Sequence, residues 1–201
     1  MAAPDDGYWN HNVHYQRVIL NAVPAGCGAA IDVGCGDGLL ARKLAVRCAS
    51  VTGIDRDPPI LARARAATPA SANITYIEAD FLAHPLPDAS FDFACANTAL
   101  HHMDFAAALA KLAAVIRPGG RLAVVGIGKD ASLSEVLMGG AGLPLDWYHK
   151  LSKSERNSGA PIMDPQMSWS QVRATARRVL PGVRYRRHLL WRYSLLWDKP
   201  A

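Results

Sequence analysis

The chain has 201 residues, half of them hydrophobic and 19% charged, a composition that is ordinary for one globular α/β domain. It has no apolar run long enough to span a bilayer, no signal peptide and no CxxC pair, so we expect a cytoplasmic protein with free thiols and no membrane partner. The net charge of +5 comes from residues 171–201, which carry eight basic residues and one acid and which either face an anionic partner or form a solvated helix surface.

Short apolar runs alternate with longer amphipathic stretches from Ala29 to Val125, as a parallel α/β sheet requires. A helix over roughly Val13–Val23 precedes the first strand. The pattern then predicts, in chain order, the strand Ala29–Val33, the helix Leu39–Arg47, the strand Ser50–Ile54, the helix Pro59–Ala67, the strands Ile74–Ile77 and Phe91–Ala96, the helix Phe105–Ile116 and the strand Arg121–Ile127.

The regular alternation stops after the fifth strand. Residues 128–167 hold several glycines and prolines and the aromatic pair Trp147 and Tyr148, and we expect this segment to be a lid over the substrate. A helix is predicted over Trp169–Val179, with Ser168 as its N-cap. The strand-like tail is expected to complete the sheet, although it has no Gly or Asn-Gly turn to mark a hairpin. The predicted single domain therefore consists of an N-terminal helix cap (1–28), a cofactor-binding core (29–127), the lid (128–167) and a C-terminal helix with edge strands (168–201).

A glycine-rich loop, DVGCGDG, occupies Asp32–Gly38 between the first strand and the first helix. Glycines let a backbone turn sharply and approach a ligand, and the start of the following helix offers free N–H groups. A dinucleotide-binding loop reads GxGxxG, but here Leu39 stands where the third glycine would be. The spacing GxGxG therefore argues against a nicotinamide-dependent oxidoreductase.

Acidic residues follow the next two strands. Asp55 ends the second strand, where a carboxylate can accept hydrogen bonds from both hydroxyls of a ribose. Asp80 and Phe81 follow the third strand and bring an acid and an aromatic ring to the same edge of the sheet. Each acid alone is also compatible with a helix cap or a solvated loop, but together with the glycine loop they predict an adenosine site.

Four stretches resemble the motifs of class I S-adenosylmethionine-dependent methyltransferases, in the order and at the spacing of that family. They are AIDVGCGDGLLARKLA, VTGIDRD, YIEADFLAHPLPDASFD and LAAVIRPGGRLAVV. A fifth, FDFACANTALHHM, is similar to the stretch after the fourth strand in methyltransferase type 11-like proteins, the subfamily that includes ubiquinone-biosynthesis-type enzymes. The resemblance implies an α/β fold: a Rossmann-like, doubly wound, mostly parallel seven-stranded sheet with helices on both faces and an antiparallel last strand.

The resemblance also implies that S-adenosylmethionine is the cofactor and that S-adenosylhomocysteine is its product. Matched by position, Gly34, Gly36 and Gly38 would wrap the methionine part of the cofactor, with Asp32 near its ammonium group. The remaining contacts implied in this way are Asp55 at the ribose, Asp80 and Phe81 at the adenine, Ala96 or Asn97 at the ammonium group, and the loop neighbours Cys35 and Arg56.

Histidines are the candidate catalytic bases, because a hydroxyl or carbon acceptor needs a base and imidazole suits that role near neutral pH. His101 and His102 follow the fourth strand at the predicted active-site edge, and His14 in the N-terminal helix is the alternative. Each is also compatible with a loop-stabilising or solvated role. The expected contacts of a small-molecule substrate are Tyr15, Trp147 and Tyr148, although Tyr15 is equally compatible with an aromatic staple onto the sheet.

Other functions stay open as alternatives. A nucleic-acid methyltransferase that acts on base amines would carry Asn/Asp-Pro-Pro-aromatic after the fourth strand, where this chain has Asn97-Thr98-Ala99-Leu100. A metal-dependent enzyme would need carboxylates where Asn97 and Gly128 stand, and the cysteines and histidines lack metal-ligand spacing, so we expect no metal. A non-catalytic S-adenosylmethionine-binding protein is disfavoured by the intact glycine loop and acids. The sequence indicates neither the acceptor atom nor the oligomeric state.

Overall fold

The computed structural model describes residues 10–129, 165–189 and 191–201. Its elements are α1 (His11–Leu20), β1 (Ala29–Val33), α2 (Leu39–Ala45), β2 (Ser50–Asp55), α3 (Pro58–Ala67), β3 (Ile74–Glu78), β4 (Phe91–Asn97), a 3₁₀ turn (Leu100–His102), α4 (Phe105–Val115), β5 (Ile116–Ile127), α5 (Trp169–Val179), β6 (Arg184–His188) and β7 (Arg192–Asp198). The predicted substrate lid, with Trp147 and Tyr148, lies almost entirely outside the described residues. Among the helices that are described, none is both long and apolar enough to cross a membrane.

The seven strands form one sheet in the order β3-β2-β1-β4-β5-β7-β6. Strands β1 to β5 are parallel, and β7 runs antiparallel to its neighbours β5 and β6. The strand order reverses between β1 and β4: β2 and β3 lie on one side of β1, and β4 and β5 lie on the other. Ligands of open α/β sheets bind beyond the carboxyl ends of the strands at such a point. The predicted mostly parallel, doubly wound sheet with an antiparallel last strand is therefore confirmed.

Helices cover both faces of the sheet. Successive strand residues point to opposite faces, and accordingly Ile31 and Val33 belong to one buried cluster while Ala30 belongs to another. The first cluster includes side chains of α4 and α5, and the second includes side chains of α1 and α2. The four cysteines are buried free thiols.

Side-chain caps fix the starts of four helices. The helices α1, α3 and α4 begin after Asn10, Asp57 and Asp104, whose side chains accept hydrogen bonds from the first turn. The predicted cap Ser168 forms a reciprocal capping box with Gln171: the Gln171 N–H donates to Ser168 Oγ (3.3 Å) and the Ser168 N–H donates to Gln171 Oε1 (2.9 Å). The predicted start of α5 at Trp169 is confirmed.

Strand β5 begins five residues earlier than the sequence pattern indicates, at Ile116 rather than Arg121. Phe91 of β4 pairs with Ile116, and Phe93 pairs with Arg121. One residue of β4 therefore faces four residues of β5, and these four include the Pro-Gly-Gly stretch. The extra residues of β5 bulge between these two pairs, a common way to insert residues into a strand without ending it.

The C-terminal hairpin turns without a glycine. Trp191 precedes β7 with a φ of 55°, a left-handed conformation that is rare for a bulky side chain. Its side chain packs against the main buried cluster, and this burial offsets the backbone strain. The turn between β6 and β7 therefore contains none of the residues, such as Gly or Asn-Gly, that would have predicted it from the sequence.

Helix α1 is held against this hairpin. Tyr15 is buried, its hydroxyl donates to the Leu189 carbonyl (2.7 Å), and its ring centroid lies 5.2 Å from that of His188. Arg192 Nη2 donates to Asn12 Oδ1 (2.8 Å), and burial lowers the pKa of Arg192 to about 10. These contacts fix α1 across the carboxyl edge of the sheet, and for Tyr15 they favour the staple over the substrate contact.

Candidate active site

The glycine loop and the end of β2 form one hydrogen-bonded unit. The Gly34 N–H donates to the Ile54 carbonyl (2.8 Å), and the Gly36 N–H donates to Asp55 Oδ2 (2.8 Å). Asp55 Oδ1 accepts a second hydrogen bond from the Asp57 N–H (3.1 Å). The Asp55 carboxylate is therefore held in place at the edge of a cleft that opens beyond β1, β2 and β4.

Two glycines of the loop are required for different reasons. Gly34 has a φ of +68°, and an added Cβ would clash with the Cβ of Ala99 in the loop after β4. Gly38 has a φ of +75° at the start of α2, and a Cβ there would clash with the Tyr76 hydroxyl. Gly34 lines the cleft, but Gly38 does not, so the structure gives Gly38 a packing reason rather than a ligand contact.

Asp32 is the most deeply buried acid that lines the cleft, with 1% of its surface exposed. Its Oδ1 accepts a hydrogen bond from Cys95 Sγ (3.6 Å), while Oδ2 has no partner among the described residues. Burial, together with repulsion from Asp55 and Asp37, raises the pKa of Asp32 to about 7. A buried acid in this state is stabilised by a cation, and the ammonium group of methionine fits that requirement.

Asn97 and Thr98 add two more unsatisfied polar atoms to the same cleft. Asn97 Oδ1 and Thr98 Oγ1 are buried without hydrogen-bond partners in the described chain, although Asn97 Nδ2 donates to the Asn12 carbonyl (3.2 Å). Thr98 also has a φ of 58°, which is uncommon for a β-branched residue. Buried polar groups are nearly always paired, so the arrangement fits a polar ligand group such as the amino-acid end of S-adenosylmethionine.

The opposite end of the cleft suits an aromatic base. Phe81 is buried, and the Lys111 ammonium lies 5.2 Å from its ring centroid. Asp80 is exposed, and its Oδ1 accepts from the backbone N–H groups of Leu82 (2.7 Å) and Ala83 (3.3 Å). These bonds orient the Asp80 carboxylate, whose Oδ2 remains available to accept from an adenine amino group.

The sequence predicted an N-terminal helix cap but not the residues of this segment that line the cleft. Asn10, Asn12, Val13 and Gln16 line it, and the three-residue spacing of Asn10, Val13 and Gln16 is the signal that marks a common helix face. Gln16 is buried, and its Oε1 accepts from Lys43 Nζ (2.9 Å). An N-terminal helix that closes over the cofactor is consistent with these positions.

Of the predicted cofactor residues, nine line this cleft: Asp32, Gly34, Cys35, Gly36, Asp55, Arg56, Asp80, Phe81 and Asn97. Ala96, which is fully buried within β4, does not line it. Asp37 of the glycine loop is half-buried and also lines the cleft.

The three candidate histidines lie in different places. His102 lines the cleft, and burial together with the nearby Arg56 lowers its pKa. The His101 ring contacts it in a tilted arrangement, with ring centroids 3.9 Å apart, but His101 lines a neighbouring cavity instead of the cleft. His14 lines neither space; its Nε2 lies 3.3 Å from Arg17 Nη2, and its ring packs edge-on against Tyr15. His102 is therefore the histidine best placed for chemistry at the cleft.

The neighbouring cavity, called here the side cavity, lies between the 3₁₀ turn, the end of β5 and α5. It is lined mainly by apolar side chains such as Leu100, Phe105, Met167 and Val172, together with His101 and a few other polar groups. Among the described residues, His102 and Met103 alone line both the cleft and the side cavity. The imidazole of His102 therefore stands where the two spaces meet.

Cofactor binding is expected to depend on pH through Asp32. Below about pH 7 the acid is protonated in the cofactor-free chain, and it would have to lose that proton to pair with an ammonium group. The affinity for S-adenosylmethionine should fall as pH drops from about 7 to about 5, by up to roughly tenfold per unit. Calorimetry in buffers of different ionisation enthalpy measures both the affinity and the released proton.

The matched variant for this measurement is Asp32→Asn, which keeps the size of the side chain and removes its titration. Its affinity should be lower and nearly constant over the same pH range. A variant with the same pH dependence as the parent chain would assign the proton to another group.

The chain is similar to known methyltransferases in both sequence and fold. A family model described as a methyltransferase domain matches residues 31–124. An uncharacterized methyltransferase of Mycobacterium tuberculosis is 37% identical over 98% of this chain and 100% of its own length. A malonyl-[acyl-carrier protein] O-methyltransferase of Pseudescherichia vulneris is 38% identical over 47% of this chain and 37% of its own. Among solved structures, an S-adenosylmethionine-dependent methyltransferase of Mesorhizobium loti has a TM-score of 0.62 at 21% identity, covering 92% of this chain and 97% of that one.

Proposed function

The chain belongs to the methyltransferase domain family of S-adenosylmethionine-dependent enzymes, and we propose that its methyl acceptor is a small molecule bound in the side cavity. The observation that carries this proposal is the junction between the two spaces. A methyl donor in the cleft and an acceptor in the side cavity meet at His102 and Met103. Reaction by displacement requires this kind of alignment, which can supply many kcal/mol of the barrier reduction.

The cofactor contacts are proposed from the unsatisfied and oriented groups of the cleft. Asp32 would hold the ammonium group of methionine, and Asp55 would accept hydrogen bonds from the ribose hydroxyls. Asp80 and Phe81 would contact the adenine. When bound, S-adenosylmethionine supplies a methyl group on a positively charged sulfur.

His102 is proposed as the base that takes a proton from the acceptor. Its lowered pKa keeps the imidazole neutral at pH 7, so a ring nitrogen has a free lone pair. A neutral imidazole can remove the proton of a hydroxyl as that oxygen attacks the methyl group. His101 would then support the His102 ring through the contact between their tilted rings rather than act on the acceptor.

A second candidate acceptor is a free carboxyl group on an acyl chain. It is favoured by the similarity to a malonyl-[acyl-carrier protein] O-methyltransferase. A carboxylate is already ionised at neutral pH and needs no base, so this acceptor would use His102 only to position the oxygen. The pH dependence of the rate separates the two candidates.

The proposed function is tested by identifying the molecule that receives the methyl group. The full chain is incubated with S-adenosylmethionine that carries a deuterated methyl group, together with a metabolite extract and, separately, with total RNA. Mass spectrometry should find the label in a low-molecular-weight product. Label in RNA nucleosides would favour the nucleic-acid alternative, and cofactor binding without any labelled product would favour a non-catalytic binding protein.

A further inference from the structure

The described lining of the side cavity is mainly apolar and includes one arginine, Arg178. Val172, Thr175 and Arg178 follow one another at three-residue intervals on α5, so they share the helix face that lines the cavity. Val172 is buried, Thr175 is half-buried and Arg178 is exposed. This face therefore passes from an apolar floor to a cationic rim.

Among the described residues, no neighbour neutralises the charge of Arg178. No carboxylate among the described residues lies within ion-pair distance of it, and the same holds for Arg173 and Arg177 on this helix. The cavity has one described acid in its lining, Asp104, whose Oδ1 caps α4 through the Ala107 N–H (2.8 Å). The negative charge of Asp104 is thus offset by the positive end of that helix.

From this arrangement we propose that the side cavity selects an amphipathic acid: a molecule whose apolar body fills the cavity and whose carboxylate or phosphate binds Arg178. A guanidinium matches the planar, two-oxygen geometry of such groups better than an ammonium does. The surrounding arginines of α5 add a positive field that attracts anions toward the same opening. This inference rests on the proposed function and narrows its substrate to one chemical class.

The test measures binding to the full chain saturated with S-adenosylhomocysteine. The probes are octanoate and 4-phenylbutyrate, each compared by calorimetry with its neutral amide and with the amine of the same chain length. Because Arg178 is exposed and screened by solvent, the acids should bind about three- to tenfold more tightly than the amides. The amines should bind most weakly.

Arg178→Gln should remove the preference for the acids and leave binding of the amides unchanged. Arg177→Gln is the matched control, because it removes the same charge from a neighbouring position outside the cavity lining. Equal effects of the two substitutions, equal binding of acids and amides, or no binding of either acid would each overturn the inference. A labelled small-molecule product with no acid preference would refute only the inference, whereas labelled RNA would refute the proposed function.

Discussion

Replacing His102 by Gln is expected to lower kcat by about 10²- to 10⁴-fold, the contribution that a positioned general base usually makes. Glutamine keeps a polar side chain of similar reach but cannot accept a proton at neutral pH. The affinity for S-adenosylmethionine should change only by a small factor, because the proposed cofactor contacts are made by other residues. Single-turnover measurement of methyl transfer, with the cofactor pre-bound, isolates this effect.

The pH dependence of the methyl-transfer rate gives a second test of the role of His102. Since burial and Arg56 lower the pKa of His102, the rate of the parent enzyme should stay constant around neutral pH and fall only below the usual imidazole range. His102→Gln should lose that fall. His101→Gln serves as the comparison, and we expect it to reduce kcat by less than about tenfold. A rate in His102→Gln equal to that of the parent enzyme would contradict the role of His102 as the base. A reduced rate with an unchanged pH dependence would favour a carboxylate acceptor.

Replacing Asp55 by Ala is expected to weaken binding of S-adenosylmethionine by about 2 to 4 kcal/mol, or roughly 30- to 1000-fold, because two ribose hydroxyls lose a charged acceptor. The carboxylate also holds the Gly36 and Asp57 N–H groups, so part of the loss comes from a less ordered loop. Asp55→Asn retains an oxygen acceptor and should lose less affinity than Asp55→Ala.

The control for this comparison is Asp88→Ala, an exposed acid that lies outside the cleft lining. Asp37 is unsuitable for that purpose, because it lines the cleft. Calorimetric titration of the three variants gives the affinities directly. Equal affinities for Asp55→Ala and Asp88→Ala would show that the ribose carboxylate is elsewhere.

The elements of the core could be predicted because their signals are local. The run Ala29–Val33 is bounded by a glycine on each side, and it forms β1 with those limits. The capping pattern of Ser168 and Gln171 fixes the start of α5 in the same way. The glycine loop and the acids after β2 and β3 could be assigned to one site because parallel strands bring their carboxyl ends to one edge. Membership of the ubiquinone-biosynthesis-type subfamily stays a prediction.

Features that depend on distant contacts could not be predicted. The left-handed conformation of Trp191 is tolerated because its side chain packs on the core. No neighbouring residue in the sequence predicts this conformation. The clash that excludes a side chain at Gly38 comes from Tyr76, two strands further along the chain. The different placements of His101 and His102 follow from the short 3₁₀ turn that carries them, which the sequence does not reveal.

Strand β6 also determines how copies of the chain can approach one another. It is the outermost of the described strands of the sheet, and the edge of such a strand carries backbone groups that would pair with a further strand. Its sequence, RYRRH, carries three arginines in five residues. If two copies joined their sheets through this edge, these guanidinium groups would be brought together in like-charged rows. Electrostatic repulsion thus protects the exposed edge against fibril-like growth, and any stable dimer should form through another surface.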